Sequence, residues 1–366
     1  MHRRHFLLSI AAGATATTLA PLLVHAAGSA TTSATATPPT GTGHQARRAL
    51  GRSGLDIAPV VLGGNVFGWS LDEKASFAVL DAFVGHGFDA IDTADTYSRW
   101  VPGNSGGESE AIIGRWLKAR PGMREKVKIF TKVGGDMGGA DRKGLSPRWI
   151  NASVDASLQR LGSDHIDVYF SHFPDPDTPL EDTLGAYDAL LKAGKIRAIG
   201  ASNVDAGQLR QALDTARENN LPAYQVLQPG YNLYDRDGYD GALRDLCLRE
   251  GLGVVTYSSL ASGFLTGKYR SEADLEQSVR GGGVGRKYLN RRGMAILAAM
   301  DTVAERHDAQ LADIALAWLI AREGVTAPIA GATRPGHVDS FARATALRLD
   351  VDDLAALDRA SAPTEA

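Results

Sequence analysis

Leu62-Gly63-Gly64-Asn65-Val66-Phe67-Gly68 closes the first apolar run of the chain, and its glycine spacing decides the fold. An open sheet that binds a dinucleotide would carry G-x-G-x-x-G at this turn, letting backbone amides approach the pyrophosphate. Here the glycines stand at 63, 64 and 68, which is not that spacing. The first run covers residues 57–63, and seven more follow at 88–93, 127–133, 166–172, 196–202, 224–228, 253–258 and 327–331. Near-continuous apolarity marks strands covered on both faces, as in a parallel sheet. Amphipathic patterns between them predict helices at 73–86, 108–119, 147–161, 180–193, 205–219, 239–250 and 312–322. Ser146 ahead of Pro147 supplies an N-cap and a first-turn proline. Asp205 and Asp313 place acids where a helix N-terminus favours them. Eight β units with crossover helices give either a closed barrel or a large open sheet. Without the dinucleotide turn, the sequence predicts a closed α/β barrel, (β/α)8, of the TIM type. The interval before the eighth run is about twice the others, with its excess in residues 268–308. That excess includes Arg280-Gly281-Gly282-Gly283-Val284-Gly285-Arg286, which reads as a mobile surface loop; a phosphate-cradling loop is disfavoured because neither a preceding strand nor Walker spacing is present.

Composition narrows the function classes. The 366 residues are 44% hydrophobic and 22% charged, which suits a large buried core and not a disordered chain. There are 39 basic and 42 acidic residues, a net charge of −3 without any basic block, so no nucleic-acid partner is expected. The one cysteine, Cys247, excludes an internal disulfide framework and any CxxC site, and reads as a buried small hydrophobe. Four of the nine histidines fall within the first 44 residues and no HxH or HExxH occurs, so no metal is expected.

The N-terminus reads as an address. Arg3-Arg4, the apolar stretch from Phe6 to Leu23 and Val24-His25-Ala26 predict a signal peptide over residues 1–26. The arginine pair followed by His5-Phe6-Leu7 resembles a twin-arginine export signal, with a general secretory signal as the plainer alternative. Gly13 and Pro21 interrupt the short apolar stretch, which argues against a retained membrane anchor. Residues 27–45 are a Thr/Ala/Ser/Pro/Gly linker without periodicity. Residues 46–366 then form one barrel-sized domain, expected to be exported to a periplasmic or extracytoplasmic location by the twin-arginine machinery. No stable membrane insertion of that domain is expected.

A barrel does its chemistry at the C-terminal ends of its strands. The second run ends in Asp92, with Tyr97 five residues on; the third carries Lys132 and the fourth His172. Each is expensive to bury unless paired. An ammonium beside a tyrosine stabilises phenolate and would lower its pKa from about 10. A carboxylate holds the lysine charged, and a neutral imidazole can orient a carbonyl oxygen. Together these groups suit proton delivery to a carbonyl that receives a hydride, or the reverse. A structural salt bridge with two incidental rings is the alternative.

Asp92, Tyr97, Lys132 and His172 resemble the catalytic tetrad of the aldo-keto reductases, in the style of the bacterial and potassium-channel β-subunit-like branch. Ordered motifs extend the resemblance over nearly all of residues 46–366. They include Leu50-Gly51-Arg52-Ser53-Gly54-Leu55, similar to the short hairpin that closes the barrel bottom in that family. Thr178-Pro179-Leu180-Glu181-Asp182-Thr183, Gly194-Lys195-Ile196-Arg197 and Gly200-Ala201-Ser202-Asn203 follow, then Gln228-Pro229-Gly230-Tyr231-Asn232, Tyr257-Ser258-Ser259-Leu260 and Leu265-Thr266-Gly267-Lys268. The resemblance implies a nicotinamide cofactor across the barrel mouth, NADP(H) favoured and NAD(H) possible. It assigns Ser202, Asn203 and Gln228 to the carboxamide, Tyr257 to stacking on the nicotinamide, and Ser258, Leu260 and Lys268 to the pyrophosphate. Gly331, Thr333, Arg334 and His337 match the adenosine-phosphate segment, where Arg334 suits a 2′-phosphate.

Two departures stand out. Ser340 and Phe341 occupy positions where the family has an acid or amide followed by Asn, so adenine would be held more weakly or by stacking. Ser259 stands where a proline is usual. Trp69 and Trp100 either wall an apolar substrate pocket or cover the barrel rim, and the loop from Arg99 to Gly107 is suited to shape access. Tyr231 and Tyr234 read as packing. The expected function is an oxidoreductase of small aldehydes, ketones or sugar-like alcohols with Tyr97 as general acid and base. The rival readings are a nucleotide-binding sensor barrel with slow or vestigial turnover and, disfavoured by the missing HxH ligands, a metal-dependent hydrolase.

Overall fold

Pro59 cuts the first apolar run in two, because it cannot donate to a sheet ladder. The residues before it belong to a hairpin, β1 (Arg48–Ala49) with β2 (Asp56–Ile57), and those after it to the first barrel strand, β3 (Val61–Gly63). The computed structural model describes residues 45–362; the expected signal 1–26 and the linker up to residue 44 lie outside them. The remaining strands are β4 (Ala90–Asp92), β5 (Lys128–Val133), β6 (Ile166–Ser171), β7 (Ile196–Ser202), β8 (Val226–Gln228), β9 (Gly253–Thr256) and β10 (Ala327–Ala330). Strands β3 to β10 pair in parallel and in sequence order, and β10 returns to β3 to close the barrel. The predicted (β/α)8 barrel is therefore present.

Helices cover the outside: α1 (Glu73–Gly85), α2 (Glu108–Ala119), α3 (Pro147–Leu161), α4 (Leu180–Lys192), α5 (Ala206–Glu218), α6 (Ala242–Glu250), α7 (Gly281–Tyr288), α8 (Arg291–His307), α9 (Leu311–Ala321), α10 (Gly336–Ala346) and α11 (Val351–Ser361). Ser146 caps α3 by accepting from the Trp149 amide, and Asp205 with Gln208 forms a capping box on α5. The expected mobile loop at Arg280–Arg286 is instead ordered as α7. Its Val284 and Tyr288 are buried, which gives this glycine-rich segment an apolar side to dock.

Strand side chains alternate between two cores. Val61, Ala90, Phe130, Val168, Phe170 and Val226 are among those that fill the barrel interior. Ile91, Ile129 and Tyr169 point outward against the helices. The hairpin supplies Leu50 and Ile57 to the interior cluster and so plugs the bottom. Gly51 makes that approach possible: its φ is +55°, and a Cβ there would stand 2.0 Å from the Gly253 nitrogen.

The same alternation builds the mouth. Two residues beyond an inward apolar residue, the chain places Asp92 after Ala90, Lys132 after Phe130 and His172 after Phe170. By the same step Gln228 follows Val226, Tyr257 follows Val255, and Gly331 follows Ile329. One layer of polar groups thus sits over an apolar floor at the C-terminal end.

Candidate active site

Asp92 and Lys132 are buried side by side on adjacent strands, 2% and 0% exposed. Lys132 Nζ donates to Asp92 Oδ1 and Oδ2 at 2.8 and 2.7 Å, to the Thr93 carbonyl at 2.8 Å and to Tyr97 Oη at 2.9 Å. Four acceptors share three hydrogens, so the ammonium is fully committed. The turn after β4 aims Tyr97 back over the pair, and its phenol donates to Asp92 Oδ2 at 3.2 Å. Gln228 Nε2 adds a third side-chain donor to the same carboxylate, 2.8 Å from Oδ1. His172 packs edge-on to Tyr97, ring centroids 6.2 Å apart, and stacks on Phe173 at 4.5 Å. The four residues expected to meet do meet.

The electrostatics differ from the sequence expectation in one respect. Lys132 was expected to draw the Tyr97 pKa down. Burial, followed by the Asp92 charge and hydrogen bond, instead holds the phenol protonated, well above its ordinary range. Burial also lowers Lys132, against the opposing pull of Asp92. His172 is pushed down to about 3 by burial and by the Lys132 ammonium, so it is neutral at ordinary pH. Its Nδ1 is buried and has no partner among the described residues.

Trp100 is exposed and touches both Trp69 and Tyr97 edge-on, at 5.6 and 6.2 Å between centroids. With Tyr97, Arg99, Gly135, His172 and Phe173 it lines a cavity of about 360 Å³. Trp100 therefore walls a pocket over the tetrad, while Trp69 stands behind it, stacked under the Arg280 guanidinium at 4.8 Å. A larger cavity, about 630 Å³, lies away from the tetrad between the loop before α4 and helix α5.

The residues assigned to a nucleotide fall along the other side of the mouth. Ser202 Oγ donates to the Gln228 carbonyl at 2.8 Å. Asn203, with φ 57°, donates to the His172 carbonyl at 2.8 Å and accepts from Tyr257 Oη at 2.7 Å. Ser258 also has positive φ, 56°, and leads into the turn that carries Leu260. Gly331 follows β10 directly.

Further along, Arg334 Nε donates to His337 Nε2 at 3.0 Å, and Thr333 Oγ1 lies 3.3 Å from His337 Nδ1. Burial, Arg334 and Lys268 together lower the His337 pKa, which places three basic groups close together. Lys268 and Arg334 form no ion pair among the described residues. Unpaired basic groups at one end and hydrogen-bonding side chains at the other fit a phosphate-bearing nucleotide with a polar head.

Phe341 does not offer adenine a stacking surface: it is 1% exposed, packed edge-on against Phe88. Ser340 is engaged with Gln310 and Arg343. Cys247 is buried in α6, where burial raises its thiol to about 12, and Tyr231 stacks on Trp318 in the core. Sequence reasoning missed the Gln228–Asp92 bond and the buried carboxyl of Asp95, although Asp95 stands between Asp92 and Tyr97 in one hexapeptide. Among the described residues no group of three or more His, Cys, Asp or Glu could hold a metal, and no helix is long and apolar enough to cross a membrane.

A model of the aldo/keto reductase family matches residues 59–362. The uncharacterized oxidoreductase YrpG of Bacillus subtilis is 32% identical over 318 residues, covering 84% of this chain and 94% of that protein. A probable voltage-gated potassium channel subunit beta of Arabidopsis thaliana is 31% identical, over 81% of this chain and 89% of its own. The L-glyceraldehyde 3-phosphate reductase of Escherichia coli O157:H7 is 29% identical, over 87% and 92%.

Proposed function

The chain belongs to the aldo/keto reductase family, whose members use nicotinamide cofactors, and from that premise we propose an NADP(H)-dependent oxidoreductase of small aldehydes, ketones or sugar-like alcohols. One observation carries the reading: the Tyr97 phenol lies 2.9 Å from Lys132 Nζ, beside Asp92 and His172, under a small aromatic-walled cavity. When bound, the nicotinamide supplies or takes up the hydride. Tyr97 acts as the general acid in reduction, because burial keeps its proton in place until a substrate oxygen arrives. Lys132 then faces the phenolate that remains and stabilises it, while Asp92 fixes the ammonium. Neutral His172 donates one N–H towards the carbonyl oxygen and orients it. Trp100 and Phe173 exclude water and favour substrates with an apolar side.

Ser202, Asn203 and Gln228 would hold the carboxamide, with Tyr257 against the nicotinamide ring. Ser258, Leu260 and Lys268 would take the pyrophosphate, and Gly331, Thr333, Arg334 and His337 the adenosine phosphate. The unpaired Arg334 favours NADP(H) over NAD(H). Residues 1–26 support export by the twin-arginine route and residues 27–45 a linker to a periplasmic or extracytoplasmic barrel, 46–366, that leaves with its nucleotide bound.

The test is an absorbance screen of aldehydes, ketones and sugars with NADPH and NADH. Turnover with NADPH that is lost in Y97F supports the proposal. A second reading, a regulatory nucleotide-binding barrel, draws on the similarity to the Arabidopsis channel subunit. Tight nucleotide binding with turnover that Y97F leaves unchanged would favour it.

A further inference from the structure

We propose that Asp95 is a positioning residue for Tyr97: held as an uncharged acid behind the tetrad, it keeps a further negative charge away from the oxygen that receives the proton, and its ionisation suppresses reduction. The inference rests on Tyr97 acting as the general acid.

Asp95 sits in the turn that follows β4, three residues after Asp92 and two before Tyr97. Its backbone N–H donates to the Lys132 carbonyl at 3.4 Å, which seats the turn on β5. The side chain is 1% exposed and turns away from the mouth towards α3. There Oδ2 accepts one hydrogen bond, from Ser153 Oγ at 3.1 Å, and Oδ1 has no partner among the described residues. The Tyr169 hydroxyl on β6 is also buried without a partner.

A buried carboxylate requires several donors or a cation. Asp95 has neither. Arg160 of α3 is the cation on that side, and its Nε is committed to Glu110 of α2 at 2.7 Å. Glu110 further accepts from Thr131 Oγ1 at 2.6 Å and, as the ion-pair partner of Arg160, is the acidic side chain acting on Asp95. The other ionisable groups around Asp95 are Lys132, Tyr97, Tyr169 and Tyr187. Burial, and then Glu110, raise its carboxyl to about 8, against the lowering pull of Ser153, Arg160 and the Thr96 amide.

The sign of the effect follows. Below about pH 8 the acid is neutral, and the charge set beside Tyr97 is that of Lys132 and Asp92. Above it, an extra negative charge acts on Tyr97 and Lys132 from behind, through the buried interior. That charge raises the Tyr97 pKa further and opposes negative charge on the substrate oxygen, so the phenol becomes a poorer acid. Burial pushes the phenol's own titration upward, so an alkaline fall in rate near pH 8 that D95N abolishes belongs to Asp95.

The test is the pH profile of kcat for carbonyl reduction by the purified mature enzyme and D95N, with NADPH saturating. The uncharged amide mimics the acid, so the rates at about pH 7 agree within about twofold, with unchanged nucleotide KM. At about pH 9.5 D95N is faster than wild type by about tenfold, the effect of about one unit of like-charge perturbation. Superimposable profiles would overturn the proposal.

A second readout does not depend on turnover: the infrared carbonyl band of a buried carboxylic acid, in the difference spectrum of the wild type, about pH 7 minus about pH 9.5. It is expected at about pH 7 and gone by about pH 9.5, and its absence at neutral pH would overturn the proposal even if D95N folds poorly. If Y97F is inert while the D95N profile superimposes, this inference alone fails. If Y97F stays active, the acid role of Tyr97 fails, and the infrared band still reports the protonation of Asp95.

Discussion

Truncating Lys132 to methionine removes a charge that three acceptors on Asp92 and Thr93, and the Tyr97 oxygen, currently share. Asp92 would keep Gln228 Nε2 at 2.8 Å and the Tyr97 hydroxyl at 3.2 Å, two neutral donors for a carboxylate that is 2% exposed. Breaking a buried pair by removing one partner costs about 3–5 kcal/mol, chiefly because the other charge is stranded. Removing both charges strands neither, so the D92N/K132M double variant should lie within about 2 kcal/mol of wild type. The cost of K132M is that of an uncompensated buried negative charge, which acid solution relieves. Stability of K132M relative to wild type should therefore fall as pH rises. Urea unfolding at about pH 5 and about pH 7.5, followed by tryptophan fluorescence, measures all of this. A K132M stability within about 1 kcal/mol of wild type at both pH values, or a double variant no better than the single, would refute the buried-pair account.

His172 gives a second pH signature of opposite sense. Its folded pKa of about 3 lies below the unfolded imidazole value of about 6.5, so stability is present above the unfolded value and lost as pH falls towards the folded one. H172N should flatten the fall in melting temperature between about pH 6.5 and about pH 4, measured by scanning calorimetry. At the barrel bottom, G51A forces a Cβ into the Gly253 backbone at a positive φ and should cost about 3 kcal/mol in urea unfolding. Replacing Arg334 by alanine removes a charged donor from the proposed phosphate end. NADPH affinity by fluorescence titration should fall at least about tenfold, with NADH affinity nearly unchanged.

Much of the site could be read along the chain because buried strands announce themselves and polar residues within them are costly. Asp92, Lys132 and Gln228 each interrupt an apolar run near its end, and the alternation set by Ala90, Phe130 and Val226 puts all three on the inward face. What could not be read depended on packing between distant segments. Phe341 looks available to a ligand until Phe88, far away in sequence, covers it. The direction of the Tyr97 pKa turned on how completely the barrel buries the phenol, which no spacing of residues conveys. Pro59 was visible, but the apolar residues on both sides of it hid the boundary between hairpin and barrel. Helix α8 carried its own signal, with Ile296, Leu297, Met300 and Val303 buried on one face. The glycines and arginines just before it drew that whole interval towards a loop.

The central claim is that the Tyr97 phenol delivers the proton. Its most direct test pairs the single-turnover reduction rate of Y97F with the NADPH dissociation constant of the same preparation. The account predicts a rate at least about a thousandfold below wild type with an unchanged dissociation constant. A Y97F rate within about tenfold of wild type, with nucleotide bound as tightly, would contradict it.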